Sequence, residues 1–184
     1  MRYLETHGIA NVSLSPLAAE VGTSKRMLLY YFGNRTNLML EALAVSRPDV
    51  AEMFGDVHDF ASLRGAAQDL WEAITAGEQR RPIRILFQLL SLAPTQPDRY
   101  QSLAEDAVNV MIDPLAEVYR HLGVPQADAR ARASLLVSGL RGLCQDRMVT
   151  HDVERVDAAA RMLIDQATAM PDGGGELHLE HRGA

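Results

Sequence analysis

Side chains suited to contacting nucleic acid are concentrated in a stretch of the sequence that carries no acidic residue. No Asp or Glu occurs between Glu20 and Glu41. The candidate contact residues in this interval are Lys25, Arg26, Met27, Tyr30 and Tyr31. An arginine can donate two hydrogen bonds to a guanine edge, Met or Tyr can pack on a thymine methyl group, and Lys or a Tyr hydroxyl can reach phosphate oxygens. A solvated helix face normally carries acids as well, so this stretch predicts contact with DNA.

The element before these residues is predicted to be a short helix. Leu17 and Ala18 have helical spacing, and the helix should run from about residue 14 to residue 21. Gly22 follows, and glycine most readily adopts the left-handed conformation that ends a helix. Ser13 precedes the helix and is predicted to cap it through its hydroxyl.

A second helix should carry the contact residues. Thr23 or Ser24 is predicted to cap it, residues 25–31 to form it, and Leu28 to be its buried anchor. Two short helices joined by a tight turn make a helix-turn-helix, whose second helix enters the major groove. Arg35 opens the next helix and is predicted to add a phosphate contact.

The segment from Ser13 to Leu43 resembles the tetracycline-repressor (TetR) family, whose motif reads roughly T-x-x-x-I-A-x-x-A-G-V-S-x-x-x-L-Y-x-H-F-x-S-K-x-x-L. The matching positions are Ser13, Leu17, Ala18, Gly22, Ser24, Leu28, Phe32, Arg35 and Leu38. The departures are Val21, Thr23, Leu29, Tyr31, Asn34 and the replacement of the family's usual lysine by Arg35. Leu29 replaces a tyrosine that contacts phosphate in the family, so we assign that contact to Tyr30 or Tyr31.

The resemblance implies an all-α protein with an N-terminal helix-turn-helix and a helical body that binds an effector and forms a homodimer. It also implies a repressor that leaves a palindromic double-stranded operator when a small molecule binds. The predicted DNA contacts are Ser13, Ser24, Lys25, Arg26, Met27, Tyr30, Tyr31 and Arg35. Charge agrees with this division, since residues 1–47 hold five basic and three acidic side chains within a chain of net charge −6.

Length and composition set further limits. With 184 residues and 47% hydrophobic content, the chain can form a DNA-binding domain (1–46) and an effector-binding and dimerisation domain (47–170). Cys144 is the single cysteine, so no internal disulfide is possible, and a buried thiol is expected. No apolar run is long enough to span a membrane, and no signal peptide follows Met1, so we expect a cytoplasmic protein. No cofactor or metal is predicted.

Breaker residues divide the rest of the chain into helices, with no alternating strand pattern. The predicted helices cover residues 35–45, a short ambiguous segment within 48–61, and residues 62–77, 80–93, 98–122, 126–149 and 152–170. Asn34 should cap the first of these helices. Pro114 leaves two alternatives, a kink that opens space for a ligand or a break that starts a new helix.

The last two helices are too apolar to bury only one face each. We expect one stripe to serve the protomer core and the other a partner, giving a four-helix interface. The predicted interface residues are Leu136, Leu140, Leu143, Ala159 and Met162.

An effector pocket is implied by the resemblance and by large apolar side chains on the body helices. The candidates are Trp71, Phe87, Leu90, Tyr100, Met111 and Tyr119. Singly, each is more often a core residue than a ligand contact. An apolar or amphipathic small molecule is expected, with Asp113, Arg84 or Gln88 as possible polar contacts.

The two ends of the sequence raise separate points. Only seven residues precede Gly8, so the family's first helix looks truncated, with Tyr3 and Leu4 as its last core contacts. This favours one alternative, a ligand-binding dimer that does not bind DNA. Residues 171–184 look disordered, and the histidines His178 and His181 there look solvated rather than metal-binding.

An enzyme is the other alternative class. His58 with its neighbouring aspartates, and His151 with Asp152 and Glu154, could act as acid–base groups. Neither cluster has a nucleophile, a phosphate-binding loop or metal-ligand spacing, so no catalytic residue is predicted.

Overall fold

The computed structural model of the chain describes residue 3, residues 13–45 and residues 50–170. In that part of the chain every regular element is a helix, and the predicted all-α class is confirmed. The helices are α1 (Leu14–Glu20), α2 (Lys25–Phe32), α3 (Arg35–Val45), α4 (Val50–Phe54), α5 (Phe60–Thr75), α6 (Arg80–Leu92), α7 (Pro97–His121), α8 (Gln126–Thr150) and α9 (Val153–Ala167). We call α1–α3 the head and α4–α9 the body.

Most of these helices end close to where the sequence predicted. Gly22 and Gly123 follow α1 and α7 with φ angles of +71° and +87°, conformations that cost glycine little. Asn34 caps α3, because its Oδ1 accepts a 2.9 Å hydrogen bond from the Asn37 N–H. The prediction that the Ser13 hydroxyl caps α1 is wrong. Ser13 stands at the N-cap of α1 in an extended conformation, but its side chain makes no capping hydrogen bond.

Pro114 lies inside α7, which runs from residue 97 to residue 121 as one helix. The alternative that a new helix starts at this proline is therefore wrong. Pro114 is exposed, so the ring lies on the solvent side of α7, away from the core.

The described residues form two hydrophobic clusters. The larger joins α4–α9 around fully buried side chains such as Leu63, Leu115 and Tyr119. The smaller joins the head to the body, because Tyr3 and Met39 pack with residues of α6 and α7. Met39 is 1% exposed, so α3 is anchored firmly on the body. Burial of Tyr3 agrees with its predicted core position.

The structure corrects part of the predicted dimer interface. Leu136 and Leu140 are 0% and 1% exposed because both lie in the larger cluster of their own protomer. Neither is available to a partner. Gly139 also faces inward, since a Cβ atom there would collide with the Leu163 side chain. The absent side chain therefore allows α8 and α9 to pack closely within one chain.

Several predictions concern residues outside the described part. They include the contact of Leu4, the start of the first helix, and the tail 171–184 with His178 and His181. In the described part, no helix is long and apolar enough to cross a membrane.

Candidate nucleic-acid interface

Helix α2 buries one side chain and exposes most of the others. Leu28, at 8% exposed, holds the helix to the head. Tyr30 and Tyr31 are 77% and 70% exposed, which is unusual for large aromatic residues in a folded protein. The remaining exposed candidates on α2 are Lys25, Arg26 and Met27. The face that carries the predicted DNA contacts is therefore open to solvent.

Local hydrogen bonds fix where α2 begins and ends. The Ser24 hydroxyl accepts a 3.2 Å hydrogen bond from the backbone N–H of Met27, which confirms the predicted cap. In the turn before it, the Thr23 N–H donates to the Ala18 carbonyl at 2.8 Å. Gly33 ends the helix with φ +72°. These contacts set the angle between α1 and α2 and place Lys25 and Arg26 in the first turn of α2, the part of a recognition helix that contacts base edges.

Two other predicted DNA contacts differ in their surroundings. Ser13 is exposed at the start of α1. Arg35 is only partly exposed, and burial together with the nearby Arg99 guanidinium lowers its pKa. Arg99 belongs to α7, so Arg35 lies at the junction of head and body. Its role as a phosphate contact stays a prediction.

The six predicted effector residues are divided between the two clusters. Phe87, Met111 and Tyr119 are buried in the larger cluster, and Trp71 packs against it. Tyr100 belongs to the smaller cluster, and Leu90 packs against that one. The list of six is therefore not gathered in one place, and its assignment to an effector site stays a prediction.

Two of these residues make hydrogen bonds that sequence reasoning missed. The Trp71 indole donates a 3.1 Å hydrogen bond to Asp157 Oδ1. The Tyr119 hydroxyl donates to the Ala167 carbonyl at 2.9 Å, and burial raises its pKa to about 12. The Tyr100 hydroxyl is buried and has no hydrogen-bond partner. Asp113, a proposed polar contact, pairs instead with Arg130 at the surface.

A cavity of about 380 Å³ lies where α5 ends, α6 begins and the α8–α9 hairpin turns. Sequence reasoning missed this cavity, because its lining comes from four separated helices. The residues that line it are Ile74, Thr75, Ala76, Arg80, Arg84, Cys144, Arg147, Met148, His151 and Val153. None of the six predicted effector residues is among them.

The histidine clusters considered for acid–base chemistry serve as helix ends. Asp59 caps α5, accepting a 2.7 Å hydrogen bond from the Ser62 N–H, and His58 is an exposed neighbour. His151 ends α8, and Asp152 caps α9. Across the described ranges, no group of three or more His, Cys, Asp or Glu side chains could hold a metal ion.

The fold and this surface define a helix-turn-helix DNA-binding regulator, with a helical body behind an exposed, cationic and aromatic recognition helix. Residues 1–42 match the family described as "Bacterial regulatory proteins, tetR family". This match covers the N-terminal part of the chain and supports a TetR-like regulator with an N-terminal helix-turn-helix. Searches of curated proteins and of solved structures find no match to the chain.

Proposed function

We propose that this protein is a homodimeric repressor whose two heads bind a palindromic operator and leave it when a small molecule binds the body. It is a regulator rather than an enzyme, and it acts in the cytoplasm. The proposal depends mainly on the exposure of α2. Its buried residue is Leu28, and its exposed residues include Lys25, Arg26, Tyr30 and Tyr31. Cations hold phosphates and the first turn of such a helix reads bases.

The dimer surface that we propose consists of exposed apolar side chains on α8 and α9. Leu135 and Val149 on α8 are 52% and 73% exposed, and Val153 and Met162 on α9 are 46% and 67% exposed. Exposed apolar area on two neighbouring helices favours burial against a second copy. Of the interface residues predicted from sequence, Met162 is exposed, and Leu143 and Ala159 are partly exposed.

The smaller cluster supports coupling between effector and DNA. Met39 of the head packs in the same cluster as Ile85, Leu89 and Tyr100 of the body. A shift of α6 or α7 therefore moves α3, and with it the separation of the two recognition helices in the dimer. Two symmetric half-sites about one DNA turn (~34 Å) apart can both be bound only when the two recognition helices have a matching separation. Effector and DNA then oppose each other reciprocally.

The experiment is fluorescence-anisotropy binding of the chain to the intergenic DNA beside its own gene, with salt and competitor DNA as variables. We expect binding that resists competitor and weakens steeply with salt, because several phosphates are neutralised. Arg26→Ala should reduce competitor resistance, and Arg120→Ala, an exposed charge change on α7, serves as the matched control. Equal loss with both variants, or no specific binding by the wild type, would favour the ligand-binding dimer instead.

A further inference from the structure

Two tyrosines of α2 are neighbours in the sequence and contact each other. The ring centroids of Tyr30 and Tyr31 lie 5.4 Å apart, and the ring planes meet at 78°, which is an edge-to-face arrangement. Rings attract each other in this arrangement, because the positive edge of one meets the negative face of the other. Both side chains are exposed, at 77% and 70%, so each ring is oriented mainly by the other ring and little by the protein core.

The two rings occupy different sides of α2. Successive residues of a helix are rotated by about 100°. Tyr30 follows the buried Leu28 by two residues and therefore lies on the opposite side of α2, on the face that carries Arg26 one turn earlier. Tyr31 follows Leu28 by three residues, which places it about 60° from the buried side, on the flank of the helix. Tyr30 therefore shares the outward face with Arg26, and Tyr31 supports its ring from the side.

A tyrosine ring on that outward face fits one feature of the major groove. The base edges there present hydrogen-bond donors and acceptors, and thymine adds an apolar C5-methyl group on which an aromatic ring can pack. Fixing a freely rotating ring against this methyl group costs conformational entropy, and a ring that is already held avoids much of that cost. The contact with Tyr31 holds the Tyr30 ring before DNA binds.

We propose that Tyr30 recognises a thymine methyl group in each half of the operator, and that Tyr31 is the positioning residue that holds the Tyr30 ring in place. This inference rests on the proposed function, because it requires α2 to lie in the major groove. Arg26 and Tyr30 stand one helical turn, about 5.4 Å, apart along α2, and base pairs are spaced about 3.4 Å apart. The thymine therefore lies within about two base pairs of the one that Arg26 contacts.

Deoxyuridine tests the methyl contact, because it differs from thymidine only in lacking the C5-methyl group. The probe is the duplex that resists competitor in the anisotropy experiment, with each thymine and its symmetry mate in the other half-site replaced in turn. We call the dissociation constant of a replaced duplex, divided by that of the original, the methyl ratio. At one symmetric pair of thymines we expect a methyl ratio of about 16, or about fourfold for each half-site, as for burial of a methyl-sized group.

Substitutions should separate the roles of the two tyrosines. Tyr30→Ala should lower the methyl ratio at this pair to about 1, because no ring remains to pack on the methyl group. Tyr31→Leu removes the ring edge and should lower the ratio at least about threefold, whereas Tyr31→Phe keeps that edge and should leave the ratio unchanged. Lys25→Ala is the matched control, since loss of a phosphate contact weakens binding to both duplexes alike. Circular dichroism checks that every variant is folded.

The proposal fails, and a specific DNA-binding regulator still stands, if no deoxyuridine replacement weakens binding by the wild type. It also fails if the methyl ratio survives in Tyr30→Ala, which would place another side chain such as Met27 on the methyl group. An unchanged ratio in Tyr31→Leu would show that Tyr31 does not position the Tyr30 ring. Absence of specific DNA binding by the wild type would instead overturn the proposed function, and this inference with it.

Discussion

The indole of Trp71 donates a hydrogen bond to Asp157 at 3.1 Å, and Arg147 donates to the same carboxylate oxygen at 2.7 Å. This single oxygen therefore links α5, α8 and α9. Side-chain exposures of 22% for Arg147 and 28% for Asp157 place the pair partly out of water. The linked groups stand beside the arginine-lined cavity, because Arg147 also belongs to its lining.

Asp157→Ala is expected to lower the free energy of unfolding by about 2 kcal/mol, since it leaves a half-buried guanidinium and an indole N–H without their acceptor. Urea unfolding followed by Trp71 fluorescence measures this loss. Asp165→Ala is the control, because the Asp165 pair with Arg64 is exposed and should contribute less than about 1 kcal/mol. Equal losses in the two variants would show that the contacts of Asp157 stabilise the fold no more than an exposed ion pair does.

Substitutions on α2 should separate base reading from phosphate binding. Arg26→Ala should weaken binding to the preferred operator by about 1–3 kcal/mol and relax specificity at one base pair. Lys25→Ala should weaken binding to all sequences alike and reduce the salt slope by about 1. Anisotropy titrations on operator and scrambled DNA measure both. A uniform loss with Arg26→Ala would place that side chain on phosphate instead.

Gly22→Ala tests the turn of the helix-turn-helix. A Cβ atom there meets nothing within 4 Å, so the cost arises from the backbone alone, at φ +71°. We expect a loss of about 1 kcal/mol in the stability of the head. Gly65→Ala, also in open space but inside α5, should instead stabilise by about 0.5–1 kcal/mol. Urea unfolding followed by far-UV circular dichroism measures the change in stability for both variants. An increase in stability with Gly22→Ala would contradict the turn geometry.

Cys144 should make stability depend on alkaline pH. Burial raises its folded pKa to about 11 from an ordinary 9.0, so the unfolded thiol ionises first as pH rises. The neutral thiol contributes its full stability below pH 9, and this contribution is lost as pH rises toward 11. The loss amounts to about 1 kcal/mol by pH 10. Comparing wild type with Cys144→Ala at pH 8 and pH 10 isolates this part. An identical pH dependence in the two proteins would mean that the thiol is not desolvated.

Met162→Glu should convert the proposed dimer to a folded monomer. Met162 is 67% exposed in the protomer, so a charge there costs the protomer little but is unfavourable inside an apolar interface. Sedimentation velocity measures the change, and circular dichroism checks the fold. Val21→Glu, at a 59% exposed apolar residue of the head, should leave the dimer intact. A Met162→Glu dimer would place the interface elsewhere.

Local chemistry in the sequence determined the helices and the candidate DNA-binding surface. Gly22 and Gly123 end helices because left-handed backbone suits glycine, and Ser24 caps α2 because a serine hydroxyl accepts a hydrogen bond from an N–H three residues on. Spacing alone also identified Leu28 as the buried anchor. Each of these properties depends on residues a few positions apart, and so it is visible in one dimension.

Only the tertiary structure decided which of several apolar faces is internal. Periodicity marks both faces of α8 as apolar, but the packing of α5, α7 and α9 buries Leu136 and Leu140 and leaves Leu135 exposed. The arginine-lined cavity likewise joins Arg84 of α6 with Arg147 of α8, which no local pattern relates. Burial and charge clustering depend on the sum of contacts from distant segments, and these are fixed only when the helices pack.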